Sequence, residues 1–421
     1  MSLIFLCLEL ALLALLRFMG ITEIPDALAA ALILVYSFAY IACLPRKPHC
    51  KKYAPALIAG YLFRIALLFF DIYGRNIYLL PNSGADSEAF YKYSVSFANG
   101  GKDWGIFTIV MGYLFRFCGI SRLYGQFMLT LCSMVSIESA AKCFSLLEFD
   151  ERRTDLAMWI ISILPNFAIL SVIYLRESLV TVFISLSLVQ FIKWYKFKRE
   201  RNFIFAVALT FLGMRFHSGA IAVPVGYVLA RMLFDKNTGK LRIKLQNIIA
   251  AAVILLIGVF FLNNYGDKFL GKFSNLEEID DVANVSTMGG SSYARYVGNS
   301  SNPVSMVIFT IPRIIFFLFS PMPWLIRGLS DIIAFCFSSC FYLYTTIQVL
   351  RFLKRKETEN KELVTVLVIV CLCAAFVFGW GVSNSGTACR HRDKMTIVWG
   401  LLMGLTLPKP KEKKIPSLIK L

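Results

Sequence analysis

Apolar runs long enough to cross a bilayer recur along almost the whole chain, separated by short charged stretches. They lie at residues 3–19, 26–45, 54–72, 124–147, from Leu156 to Tyr174, 179–192, 203–216, 220–234, 246–263, 328–350, 363–383 and 395–407. Runs such as 3–19 and 26–45 have the length a transmembrane helix needs, and only helices or closed barrels satisfy their backbone inside lipid. The pattern therefore predicts an all-α, polytopic integral membrane protein with about twelve transmembrane helices. Composition agrees: of 421 residues, 57% are hydrophobic and only 17% charged, with a mean hydropathy of +0.66. A soluble chain of this size has no interior able to hide so much apolar surface. No polar stretch is long enough for a separate soluble domain, so residues 1–421 read as one membrane domain.

The charge pattern orients these segments. Lys and Arg outnumber Asp and Glu by 44 to 26, a net charge of +18. In a membrane protein such an excess belongs to cytoplasmic loops rather than to nucleic acid. The stretches RKPHCKKY (46–53), KWYKFKRERN (193–202), DKNTGKLRIK (235–244), RFLKRKETENKE (351–362) and the KPKEKK tail mark the inside. Both termini are then expected to be cytoplasmic. The first segment lacks a basic n-region and a cleavage site, so it is expected to remain as a helix. Parity demotes two apolar pieces, 104–118 and 304–320, to interfacial or re-entrant helices on the outer face. Outer loops 73–123, 264–327 and 383–394 then form one face.

Some outer turns violate the insertion bias. RES (176–178), RFHSG (215–219) and ACRHRDK (388–394) carry Arg or His where positive charge is disfavoured. An anionic ligand on that face would explain their retention, with arginine forking a phosphate better than lysine. Arg176, Arg215, Arg390, His391 and Arg392 are the binding candidates, with Arg295 in SSYARY (291–296) beside them. The outer stretch LPNSGADSEAFY (80–91) reads as a polar loop, and its Asp86 or Glu88 suits a general base that deprotonates an attacking hydroxyl. His217 is a third catalytic candidate. Against these stand a solvated loop acid, a helix-end ion pair at Arg176 and Glu177, and a structural histidine. Glu138 and Lys142, one turn apart within the membrane, read as a self-satisfied pair. The eleven cysteines lie mostly in apolar runs and read as small fillers. There is no HExxH, no Asp-x-Asp and no Walker loop, so neither a metal nor an ATP-driven motor is expected.

Outer turns bearing single arginines, a long polar loop late in the chain, and the RE and RFH punctuation resemble a Wzy- or EpsG-type polysaccharide polymerase. These belong to the multi-helix, polyprenyl-linked glycosyltransferases of GT-C architecture. The resemblance covers most of residues 54–407. It implies a base in the first large outer loop, at Asp86 or Glu88. It also implies a lipid diphosphate held by Arg176, Arg215, Arg390 and Arg392, and SSYARY is similar to a Ser-Tyr-Arg stretch in some polymerases. The expected setting is the outer face of a bacterial cytoplasmic membrane, without metal or cofactor. The expected partners are an undecaprenyl-diphosphate-linked oligosaccharide donor and acceptor, membrane lipids, a chain-length regulator and a flippase, but no nucleic acid. An acidic first loop is more typical of single-sugar GT-C transferases, so the donor stays open between one sugar and a repeat unit. An O-antigen ligase, a lipid-linked glycan flippase or exporter, and an O-acyltransferase using His217 are the alternatives.

Overall fold

The computed structural model describes residues 2–149, 151–233, 291–298, 303–355 and 360–408. Among them no strand forms, and all regular structure is helical. The helices of eight residues or more are α1 (Ser2–Phe18), α2 (Asp26–Cys43), α3 (Ala54–Tyr73), α4 (Ala85–Ala98), α5 (Ile106–Cys118) and α6 (Arg122–Leu147). Then come α7 (Glu151–Ile163), α8 (Pro165–Val172), α9 (Glu177–Phe197), α10 (Glu200–Phe216) and α11 (Ala222–Leu233). The last group is α12 (Pro303–Phe319), α13 (Leu329–Lys354), α14 (Lys361–Trp380), α15 (Ser385–Arg392) and α16 (Thr396–Thr406).

Among the described residues six helices are long and apolar enough to cross a membrane, or seven if α7 and α8 count as one span bent by 48°. The expectation of about twelve spans is therefore met only in part. Two of the remaining apolar helices are clearly short: α5 has 13 residues and α16 has 11. At about 1.5 Å per residue each covers about 20 Å or less, below the ~30 Å hydrocarbon thickness. The α7–α8 bend follows from Pro165, which cannot continue a helix and holds Leu164 extended at φ −57°, ψ 114°. The segment 246–263, the acids Glu277, Glu278, Asp280 and Asp281, and most of loop 264–303 lie outside the described residues.

Helix ends gather at two poles. At one, Ile24 N–H donates to Ile120 C=O at 3.0 Å, Tyr73 O–H to Asp26 at 3.2 Å, and Arg17 Nε–H to Arg116 C=O at 3.3 Å. At the other, Lys47 pairs with Glu138 at 2.5 Å, Lys196 with Glu148 at 2.6 Å, and Arg153 donates to Leu407 C=O at 2.9 Å. Glu138 thus pairs with Lys47 and with Tyr40 O–H at 2.7 Å, which corrects the expected Glu138–Lys142 pair. Long-range packing brought a partner that local spacing cannot reveal.

The core centres on α6 and α16, and every residue of α16 is buried. Gly400 and Gly404, one turn apart, let α16 press against its neighbours: an added Cβ would sit 2.4 Å from Ile161 Cγ2 or 2.6 Å from Phe144 Cε1. Small residues at this spacing are how helices approach closely in lipid, where dispersion contacts replace the hydrophobic drive. Polar residues tie the helices beneath the first pole. Buried Gln126 of α6 donates to Asp71 of α3 at 2.7 Å and to Val172 C=O, the last carbonyl of α8, at 2.8 Å. The end of α8 is thereby held, and with it the turn that carries Arg176 and Glu177.

Candidate functional site

Residues 85–91 are helical, which corrects the reading of 80–91 as a polar loop. Asn82, at φ 65°, closes a turn with Ser83 N–H donating to Leu80 C=O, and α4 starts just after Gly84. Asp86 and Glu88 occupy its first turn, where the N-terminal end of the helix dipole favours negative charge. They lie about 200° apart around the helix and so serve different partners. Phe90 and Phe97 pack edge-on against Phe107 and Tyr113 of α5, seating α4 on a helix too short to span.

Asp86 is the exposed member, with 65% of its side chain accessible, and it meets Arg390 Nη1 at 2.6 Å. Arg390 Nε–H donates to Glu177 Oε1 at 2.7 Å, and Glu177 is 2% exposed at the start of α9. One guanidinium thus joins two carboxylates from helices far apart in the chain. Lys394 Nζ lies 3.6 Å from Glu177 Oε1 and 2.6 Å from His391 Nδ1. Arg176 caps the same turn with its guanidinium over the Phe90 ring at 5.7 Å, and its Nε is buried with no hydrogen-bond partner among the described residues. Beside this group, Glu88 accepts from Arg75 and from Arg122, the latter at 2.7 Å. Burial alone would raise the Glu88 carboxyl, but the two arginines outweigh it and hold it below the usual range.

The run Arg390–His391–Arg392 does not act as one cluster. It forms the last turn of α15, whose N-terminus is capped by Asn384 accepting from Thr387 N–H at 2.8 Å. Successive helical residues diverge by about 100°, so the three side chains leave in three directions. Arg392 is 1% exposed and donates to Leu318 C=O at 2.8 Å, Ser320 C=O at 2.5 Å and Ser338 Oγ at 2.9 Å. It ties α12 and α13 to α15 and faces away from Asp86. His391 stacks on Phe378 at 5.4 Å and meets His217 edge-on at 4.7 Å. Burial, then the neighbouring Lys394, holds both histidines well below the ordinary imidazole range, so both are neutral at pH 7. His217 Nδ1 accepts from Gly219 N–H at 3.1 Å, which commits that nitrogen to the turn and puts the ring proton on Nε2. Arg215 is exposed at the end of α10. Arg295 is also exposed and donates to Tyr296 O–H at 2.7 Å, while its segment pairs with Ser383 and Ser385.

Lys394 and Glu177 were not among the expected site residues. Spacing held a signal for Lys394, which stands four residues after Arg390 and three after His391. For Glu177 the signal was an acid placed between two long apolar runs. Burial lowers Lys394 from the ordinary 10.5 to about 7, with Glu177 opposing the fall and Arg390 and Arg176 adding to it. Between those two values the unfolded chain binds the extra proton. This lysine therefore costs stability in full below pH 7, and the cost fades as pH rises toward 10. Lys394→Met is expected to flatten the rise of thermal stability between pH 7 and 10; equal slopes in the two proteins would refute the assignment.

At the opposite pole, ligand atoms of His49, Cys50 and Glu138 lie within 4.8 Å of one another. Both Glu138 oxygens there already accept from Tyr40 and Lys47, so a protein ammonium stands where a metal ion would. The eleven cysteines are all free thiols, six of them buried and three exposed. Compared with family models, curated proteins and solved structures, the chain matches none.

Proposed function

We propose that the chain is a glycosyltransferase of the bacterial cytoplasmic membrane that lengthens a polysaccharide on the outer face. It would move an undecaprenyl-diphosphate-linked glycan onto an acceptor sugar. The observation that carries this reading is the Asp86–Arg390–Glu177 bridge beside Arg176, whose Nε has no hydrogen-bond partner among the described residues. An exposed carboxylate and two arginines converge on one spot, so a base and a diphosphate clamp stand side by side. Glu177 holds Arg390 by its Nε and leaves the Nη edge to face the ligand. When the donor's diphosphate takes the Arg390 Nη and Arg176 positions, Asp86 is released from its latch. It then accepts the proton of an acceptor hydroxyl as that oxygen bonds to the anomeric carbon. The bond from that carbon to the lipid diphosphate breaks, and the charge left on the diphosphate is stabilised by the arginines.

The two poles also support this reading. Segments read as outer from charge parity gather with Asp86 and Arg390, and segments read as inner gather with Lys47, Lys196 and Arg153. A count of twelve crossings with both termini inside accommodates the short helices α10, α11 and α16 as spans around which the bilayer thins. A flippase would instead line a path from pole to pole.

The test is Asp86→Asn in cells lacking the native copy, with glycan length and protein level measured. Long chains are expected to fall by about 10²–10⁴-fold, the usual worth of a general base, while single lipid-linked units accumulate outside. Units trapped on the cytoplasmic side would point to a flippase. Normal chains at a normal protein level would sink the proposal.

A further inference from the structure

Beside the Arg390 site, on another face of α4, lies a separate pocket of about 390 Å³. This is within the ~300–1,000 Å³ of small-molecule sites. Its construction is specific. The loop between α1 and α2 is stitched to residues 119–121, with Ile120 N–H donating to Thr22 C=O at 2.9 Å and Ile24 N–H returning to Ile120 C=O. Gly119, at φ 90°, makes the stitch; a Cβ there would sit 3.0 Å from Ile24 Cγ1. This loop brings Glu23, Ile24 and Asp26 into the lining, where Tyr91, Lys92, Ser121 and Arg122 join them.

The lining decides the ligand by exclusion. Two carboxylates repel a diphosphate, and a lysine and an arginine repel a bare cation. Acceptor carboxylates, cationic donors and apolar side chains in one lining suit a neutral group whose every oxygen both donates and accepts, as sugar hydroxyls do. Arg122 belongs to the lining, and its buried Nη2 has no hydrogen-bond partner among the described residues. The geometry points to a binding site for a sugar ring, the terminal residue of the acceptor glycan. Helix α4 then stands between two ligands, turning Asp86 toward the diphosphate side and Tyr91 and Lys92 toward the sugar. The acceptor role rests on the transferase reading; the binding of a sugar does not.

The experiment is saturation-transfer NMR on the full chain in lipid nanodiscs. The probes are methyl glycosides of common hexoses and N-acetylhexosamines, with glycerol as the control polyol. At least one glycoside is expected to receive saturation well above glycerol. Glu23→Gln/Asp26→Asn, on two exposed residues, is expected to weaken that signal by roughly tenfold or more, the worth of a charge-assisted hydrogen bond. Lys92→Ala should weaken it as well, and Asp86→Asn should leave it intact. No glycoside rising above glycerol, or equal signals in wild type and the double variant, would overturn the assignment. If Asp86→Asn elongates normally while the glycoside still binds, the transferase reading fails and the pocket stands. If the variants bind normally but elongation depends on Asp86, the reverse holds.

Discussion

Arg390→Ala is expected to abolish chain elongation and also to destabilise the fold by about 3–5 kcal/mol, the usual penalty for stripping one partner from a buried ion pair. Glu177 is 2% exposed and takes its 2.7 Å hydrogen bond from Arg390; without it, the 3.6 Å approach of Lys394 is what remains. Removing the guanidinium strands that carboxylate. The double variant Arg390→Ala/Glu177→Gln removes the stranded charge and is expected to recover most of the stability but none of the activity. Arg390→Lys should fail on activity as well, because one ammonium cannot reproduce a fork whose Nε and Nη1 serve two carboxylates on different helices. Thermal unfolding of purified protein and glycan length in cells separate the two effects. Recovery of elongation in the double variant would mean that Arg390 only neutralises Glu177 and does not contact ligand.

Arg392→Ala is expected to act on the fold alone. The side chain is 1% exposed, lies over the Tyr342 ring at 4.9 Å, and satisfies two backbone carbonyls that follow the end of α12 or close it. Its loss takes the guanidinium donor from Leu318 C=O and from the hydroxyl oxygens of Ser338 and Ser339, while Ser320 C=O keeps Ser339 O–H at 2.7 Å. Each stranded buried group costs about 1–3 kcal/mol, so the sum is a large share of a typical margin of ~5–15 kcal/mol. Size-exclusion profiles of detergent-extracted protein should show a sharp drop in folded material, and any residual folded fraction should keep its activity per molecule. A variant that folds at wild-type level yet elongates nothing would return Arg392 to the ligand site. The two neighbouring arginines, two positions apart, thus separate into one that meets ligand and one that braces helices.

Much of the architecture was legible beforehand because its causes are local. Apolar runs near 20 residues marked α2, α3, α6, α9, α13 and α14, since burial in lipid demands backbone pairing within each segment. The shortness of α5 was readable too, and 106–118 is indeed a 13-residue helix. The helical state of 85–98 was missed because α4 is only moderately apolar and its stability comes from packing on α5 rather than from its own pattern. Asp86, Arg176 and Arg390 were singled out because they are charges in turns between apolar runs. Arg392 looked the same by that criterion, and Lys394 was passed over although it lies deeper in the site than either.

What the amino-acid order determined by itself is the all-helical class, the positions of the apolar segments and the sorting of loops by charge. Those properties depend on composition within a window of one helix length. Which charges meet was decided only by tertiary structure. Arg390 reaches Glu177 across 213 residues of chain and Asp86 across 304. Arg392 turns away from both because about 200° of helical rotation separates it from Arg390. An ion pair is set by where packed helices place two side chains in space, and no local spacing encodes that.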